Sequence, residues 1–470
     1  MPVIIKDIRF WIIAFFMIRL IGITNPPLEV SHNWRQTTVT MVARNFAEAD
    51  NNMLYPRIDI AGEKTGITGM EFPLFNYLIY LMNIVFGYEH WYGRLINLIV
   101  SSFGLWFFFR LVKNHFNASV AFSSTIILGV SIWFQFSRKI MPDTFSMSLV
   151  IAALYFASGY FNEQVSRNRN IFHLFLFALL LMLGVLVKLP SGFLCILLLI
   201  PLINKEYPAQ KKVAFAIAAG LSLIPAIIWY FYWVPHLVKT FGFWHFFMGV
   251  SFSQGINELI SHPAETLKMF YDIPLKFAGF ALFLFGLFKV FSERHQLLKA
   301  VWILSSIAFI LLMIKSGRNF YHHNYYIIPF VPVMALIAGY GLSLIKRPQW
   351  FYLILLVISA EGLTNQLHDF RIKGQSLYLL NLEQELDRYS GKDDFFLINS
   401  GEYPTPMYFA HRKGWVADNE TISRNGFTDS LSTQGLKHIL ILKSGFGTEM
   451  RLDEENKLHE TESYILYNSR

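Results

Sequence analysis

The residues of this chain with chemical potential gather in a few short stretches between long apolar runs. Glu29, His32, Arg35 and Gln36 lie in "PPLEVSHNWRQ" (26–36), and Glu71 opens "EFPLFNYL". Asp143 closes "SRKIMPD" (137–143), and Lys188 sits in "VKLPSG" (187–192). Arg318, His322 and Tyr325 belong to "KSGRNFYHHNYY" (315–326). Two carboxylates on one face of a helix bundle can divide the work of a general base and an orienting group. Lysine, arginine and histidine beside them suit an anionic phosphate. The adjacent His322 and His323 lack the i, i+4 spacing of a metal pair on a helix face. A divalent ion on Glu29, Asp143 and a histidine is left open by the spacing. Each residue also has a plain structural reading. Glu29 can be a solvated loop carboxylate, and Asp143, after Pro142, an acid favoured by a helix dipole. Lys188, like Arg19 and Arg94, can snorkel from a span end. Tyr325 can belong to an interfacial aromatic belt.

These stretches need a scaffold, and the apolar runs supply it. Of the 470 residues 54% are hydrophobic and only 15% are charged, against roughly 25% charged in an ordinary soluble domain. Runs such as "IFHLFLFALLLMLGVLV" (171–187) approach the ~20 residues that cross a bilayer. The segments 8–24, 90–112, 117–136, 143–161, 171–187, 190–204, 211–233, 270–291, 298–315, 324–345 and 349–364 read as about eleven spans. Lys6 and Arg9 precede the first, no A-x-A site follows it, and it reads as an uncleaved span. Residues 72–88, with Pro73, read as a helix at the interface. Val39, Val42, Ala43 and Phe46 recur at helical spacing, predicting an amphipathic helix on the outer membrane surface with Ser31 as its N-cap.

The fold class expected is an all-α polytopic transmembrane bundle over 1–365, with a first outer loop at 26–72, and a small α/β domain over 366–470. "DDFFLINS" (393–400), "KHILILK" (437–443) and "SYILYN" (463–468) read as strands, with short helices in "PTPMYFAHR" and "DSLSTQG". With the N-terminus in the cytoplasm, the inner loops collect Arg110, Lys113, Arg167, Arg169, Lys205, Lys211, Lys212, Lys289, Arg294, Lys299, Lys346 and Arg347, as the positive-inside rule requires. The opening stretch, the "SRKIMPD", "VKLPSG" and "KSGRNFYHHNYY" turns and the last hundred residues then share the outer side. The net charge of +8 divides into +11 before Arg371 and −3 from there on. Basic loops beside anionic lipid explain the former. No basic tail or nucleic-acid motif is present. A single cysteine, Cys195, excludes an intramolecular disulfide and a cysteine zinc site.

Taken in order, "HNWRQ…ARNF", "EFPLFNYL…FG…GRL", "SRKIMPD", "VKLPSG" and "HHNYYIIPFVP" resemble glycosyltransferase family 39, which has the GT-C fold. That family holds the protein O-mannosyltransferases and the bacterial aminoarabinose transferases of lipid A. The resemblance runs over about residues 5–365. It implies a multi-pass protein of the plasma (inner) membrane with its site facing the periplasm or outside. It implies a polyprenyl-phosphate sugar as donor and a hydroxyl of a lipid, glycan or protein as acceptor. It carries the acceptor's base to Glu29 and an assisting acid to Asp143, and it carries the donor-phosphate contacts to Lys188, Arg318 and His322. Many relatives have an Asp or an Asp-Glu pair in the first loop. Here Leu28 and Val30 flank a single Glu29, which leaves His32 or Glu71 as substitutes, with Arg35 and Tyr325 as supporting groups. A transporter or flippase of a polyprenyl-linked glycan is the competing reading, but such proteins concentrate their charges at the bilayer midplane. An assembly factor gives no reason for acids and bases on four separate turns.

Overall fold

The computed structural model describes residues 6–162, 166–243, 249–372, 374–443, 447–448 and 450–469. The chain forms two compact units. The first comprises Met1–Ile23, Arg94–Tyr230 and Phe247–Leu367, and the second Thr24–Gly93, Phe231–Phe246 and His368–Arg470.

The apolar runs of the first unit fold as helices because a backbone in hydrocarbon must satisfy its own polar groups. Among the described residues six helices are long and apolar enough to cross a bilayer: Tyr92–His115, Pro142–Phe161, Arg167–Val187, Ala209–Phe241, Gln296–Ser316 and Asn324–Ser343. Ala118–Val130 with Ile132–Arg138, bent by 52°, and Pro263–Tyr271 with Lys276–Ser292, bent by 83°, raise the number to eight. The protein is therefore a multi-pass membrane protein. The expected eleven differ from this count for local reasons. Segments 8–24 and 349–364 form the helices Ile8–Leu20, of 13 residues, and Pro348–Thr364, of 17. Segment 190–204 begins as a 3-10 run, Leu189–Leu198, and continues as Leu199–Ile203. A 3-10 turn rises faster than an α-turn, so these fifteen residues still reach roughly 27 Å.

The two bends are held by side-chain and backbone hydrogen bonds. Gln366 donates to the carbonyls of Val130 (2.9 Å) and Ser131 (3.3 Å) where the Ala118 helix bends. Ile132 N–H, beyond that bend, donates to Pro274 O at 3.2 Å, at the other bend. The Glu361 carboxylate accepts from the N–H groups of Phe277 (3.1 Å) and Ala278 (2.9 Å), the first turn of Lys276–Ser292. Arg19 and Arg94 do not snorkel. They are 1% and 0% exposed, because Arg19 donates to Gln366 and Arg94 to Ile23 O. Small residues set the closest helix contacts. Gly286 of Lys276–Ser292 faces Gly341 of Val331–Ser343, and a Cβ at Gly286 would land on the Ile337 carbonyl. Ser123 Oγ donates to Gly339 O at 2.8 Å across the neighbouring helix pair.

The second unit is built on a five-stranded sheet of order β2-β1-β3-β5-β4: β1 Phe395–Ile398, β2 Lys413–Val416, β3 Leu436–Leu442, β4 Lys457–Glu460 and β5 Tyr464–Asn468. β2, β1 and β3 are parallel, while β5 is antiparallel to β3 and to β4. Side chains alternate across the sheet with period two. Leu397, Ile439, Ile441, Ile465 and Tyr467 meet Ile422 and Leu431 on one face. Phe396, Ile398, Leu440, Leu442 and Leu466 share the other with Leu28, Met41, Val42 and Phe46 of the first loop. That loop also closes the sheet's edge: Gly414 N–H donates to Asp59 O at 3.0 Å, and Gly62 N–H to Gly414 O at 2.7 Å.

Overpacking a close helix contact typically costs about 1–3 kcal/mol. Gly286→Leu should therefore lower the melting temperature of the purified protein in detergent. Gly220→Leu, at a position where a Cβ meets nothing within 4 Å, should leave it nearly unchanged. Equal melting of the two variants in a fluorescence scan would contradict this packing.

Candidate active site

In the first unit two of the predicted charges become partners. Met141 is extended and Pro142 takes the first helical position, where its missing N–H costs nothing. Asp143 thus sits in the first turn of Pro142–Phe161. Lys188 follows the end of Arg167–Val187 in an extended conformation, and Pro190 prevents the helix from continuing. Gly184 lets these two helices approach: a Cβ there would come within 2.7 Å of Val150. The start of one helix therefore lies beside the end of the other, and Lys188 Nζ stands 3.2 Å from Asp143 Oδ1. The same ammonium lies 5.6 Å from the centroid of the Tyr325 ring, a cation–π arrangement. Both charged side chains are nearly enclosed, at 12% and 6% exposure. Asp143 Oδ2 is buried with no hydrogen-bond partner among the described residues.

The turn before Asp143 is held by a residue that no motif marks. Asn97 Nδ2 donates to the carbonyls of Phe136 (3.0 Å), Lys139 (2.9 Å) and Met141 (3.1 Å). Its Oδ1 accepts from Thr144 Oγ1 at 3.0 Å. Arg138, fully buried, donates to Ile21 O and Gly22 O at the end of the first helix. A lone asparagine in an apolar helix carries no motif. Arg318 and His322 are exposed in the short helix Arg318–His322. Arg318 N–H donates to Glu258 Oε2 at 2.6 Å, and this bond holds the Glu258 carboxyl below the ordinary range. Among the described residues no hydrogen bond or ion pair links Arg318 or His322 to Asp143 or Lys188.

The other predicted residues belong to the second unit. The helix Asn33–Glu48 is not an amphipathic surface helix: twelve of its sixteen residues are buried. It packs against Leu74–Phe86 and Thr405–Ala410. It can be buried because its threonines bond within their own helix, Thr38 to Trp34 O and Thr40 to Gln36 O, both at 2.8 Å. Ser31 does not cap it. Glu29 pairs through its backbone with Ile372, the chain must then turn, and His32 takes the N-cap place in a left-handed conformation (φ 63°) without capping the helix through its side chain. Glu29 is no solvated loop acid. It is 0% exposed, and Gln36 Nε2 donates to its Oε2 at 2.9 Å. Arg35 and Glu71 form an enclosed ion pair.

A third buried pair, Arg44 with Asp59 at 2.7 Å, anchors the same helix. Asn45 donates to the other Asp59 oxygen at 2.8 Å, and Arg44 donates to Tyr408 O at 3.0 Å. Burial alone would lower the Arg44 pKa. Asp59, Tyr88, Tyr408 and Glu48 outweigh it and raise it. Burial pushes the Tyr88 phenol, bonded to Tyr408, up to about 12. Among the described residues no three His, Cys, Asp or Glu side chains are grouped to hold a metal ion.

Over 98% of this chain and 98% of the other, the structure superposes on ArnT from Cupriavidus metallidurans bound to undecaprenyl phosphate, with a TM-score of 0.63 and 11% identity. The fold is that of the GT-C membrane glycosyltransferases. A second GT-C protein, the oligosaccharyltransferase AglB from Archaeoglobus fulgidus in complex with an inhibitory peptide and a dolichol-phosphate, matches with a TM-score of 0.57 and 11% identity. That match covers 92% of this chain and 69% of AglB. Residues 71–231 match the family model for dolichyl-phosphate-mannose-protein mannosyltransferase. No curated protein matches the sequence. The matched residues include Glu71, Asp143 and Lys188.

Stripping one partner from a buried ion pair costs about 3–5 kcal/mol, whereas a half-exposed pair is worth about 0–1 kcal/mol. Asp59→Asn should therefore lower thermal stability sharply. Asp50→Asn, which loosens a pair with Arg57 at 39% and 26% exposure, should barely change it. Limited proteolysis of the two variants after mild heating would separate them.

Proposed function

We propose that this protein transfers a sugar from a polyprenyl-phosphate donor to an acceptor hydroxyl on the extracytoplasmic face of the plasma (inner) membrane. The observation that carries the reading is the enclosed Asp143–Lys188–Tyr325 cluster at the ends of two apolar spans. A lysine in such a place is costly unless it has a counter-charge. Asp143 supplies it, and the pair is then available at membrane level for a phosphate. The match to ArnT, solved with undecaprenyl phosphate, and to AglB, solved with a dolichol-phosphate, supports a lipid phosphate as the ligand. Basic residues on every loop of the opposite side support the orientation.

In this reaction the acceptor oxygen forms a bond to the anomeric carbon, and the bond from that carbon to the phosphate oxygen breaks. The phosphate departs with the electron pair and gains negative charge. Lys188 holds that charge, which stabilises the transition state more than the ground state. Asp143 orients the ammonium before the donor arrives. Arg318 and His322, exposed at the turn that leads to Tyr325, attract the donor headgroup. Glu29 takes the proton of the acceptor hydroxyl, and the Gln36 amide fixes the plane of its carboxylate. His32, Arg35 and Glu71 support this acid. A flippase reading would want charges at the midplane, whereas Asp143 and Lys188 lie at span ends.

Glu29→Gln and Asp143→Asn should still fold, Asp143→Asn with the lowered thermal stability of a stripped buried pair, and lose transfer by two or more orders of magnitude, the usual range for general-base loss being roughly 10²–10⁴. Lys188→Ala should raise the donor KM. The assay is release of free polyprenyl phosphate from a panel of polyprenyl-phosphate sugars, with cell-envelope extract as acceptor. Full activity of the two acid variants would refute the assigned roles. No release from folded protein with any donor would refute the transferase reading.

A further inference from the structure

The first unit holds a partly open cavity of about 320 Å³ that does not include the Lys188 cluster. Its walls are apolar, with Leu111, Ile151, Leu154, Leu198, Pro201 and Leu336 among them. Along the Pro142 helix the lining runs from Ile151 to Phe161, roughly 12–27 Å below Asp143 at the α-helical rise. The polar groups of the lining collect at one end. His115 Nε2 and Ser158 Oγ are 2.8 Å apart there, and Asn204 and Tyr207 complete the rim. His115, Asn204 and Tyr207 lie where their spans end, so the rim is at the membrane boundary opposite Lys188. The segments at this end carry Lys113, Lys205, Lys211, Lys212 and Lys299 against Glu206, while Glu293 and Arg294 offset each other.

We propose that this cavity binds one acyl chain of an anionic glycerophospholipid, with its phosphate at the His115–Ser158 rim. The apolar depth matches a hydrocarbon chain and nothing charged. The polar rim and the lysines beyond it match a phosphate carrying net negative charge, as basic pockets between transmembrane helices do. A donor's isoprenoid tail descending from Lys188 would end in hydrocarbon and would have no use for this rim. The site is thus separate from the transfer chemistry and does not depend on it.

The test is native mass spectrometry of the full-length protein in detergent, titrated with dioleoyl phosphatidylglycerol and with dioleoyl phosphatidylcholine. One phosphatidylglycerol should be retained in preference to phosphatidylcholine. Ala157→Trp, which fills the cavity, should abolish that retention, and Leu154→Trp serves the same end if the first variant does not fold. Lys113→Ala should weaken retention about fivefold, one lysine near the surface being worth about that factor. Asp143→Asn should leave it unchanged, which separates this site from the proposed donor site. Equal retention of the two phospholipids, or unaltered retention in folded Ala157→Trp or Leu154→Trp, would overturn the proposal. Displacement of the phosphatidylglycerol, one for one, by undecaprenyl phosphate would overturn it too, by assigning the cavity to an isoprenoid tail.

Discussion

A backbone amide or carbonyl released from a helix inside a membrane has no water to turn to, and the transmembrane unit is organised by that constraint. Its spans are broken at Ser131, before Lys276 and through Leu189–Leu198. Each break frees carbonyls or N–H groups. Gln366 and Glu361 take them up at the first two, and other polar side chains bond the backbone where helices end. Gln366, Glu361, Asn97, Arg94 and Arg138 are backbone partners before they are anything else. The Asp143–Lys188 pair exists because one span starts, and another stops, at the same height.

The same economy governs the charges. Lys188 meets a carboxylate and an aromatic face, Arg35 meets Glu71, and Arg44 meets Asp59. Such pairs are weak sources of stability, because desolvation cancels much of their attraction. At Lys188 the pair joins the start of one helix to the end of another. At Arg44 the guanidinium instead joins the first loop to the sheet by way of Tyr408.

Much of this was legible in the sequence. Apolar length located the spans, and alternation located β1, β3 and β5 together with the helices at Thr405 and Phe427. The strands β2 and β4 escaped notice because "KGWV" and "KLHE" are four residues long, polar and at the sheet's edges. The broken spans were read as whole because hydropathy averages over a bend. The Asn33–Glu48 helix was read as a surface element because its arginines and threonines count as polar, whereas threonines that bond their own turn and an arginine with a carboxylate partner can be buried. The pairing of Asp143 with Lys188 could not be read at all. They are 45 positions apart, and only the packing of two helices brings them together.

One face of the sheet in the second unit is covered by Leu28, Met41, Val42 and Phe46. These residues leave the ribosome long before the strands they cover. Arg44 and Tyr408 are 364 positions apart, so at ordinary elongation rates the first loop waits on the order of 20–70 s for its partner to be synthesised. During biogenesis the apolar side chains of this loop therefore stand uncovered while the rest of the membrane domain is synthesised. A stop codon or truncation before β1 would make that wait permanent and leave the loop's apolar residues without the sheet face that covers them, even in a chain whose spans had all inserted.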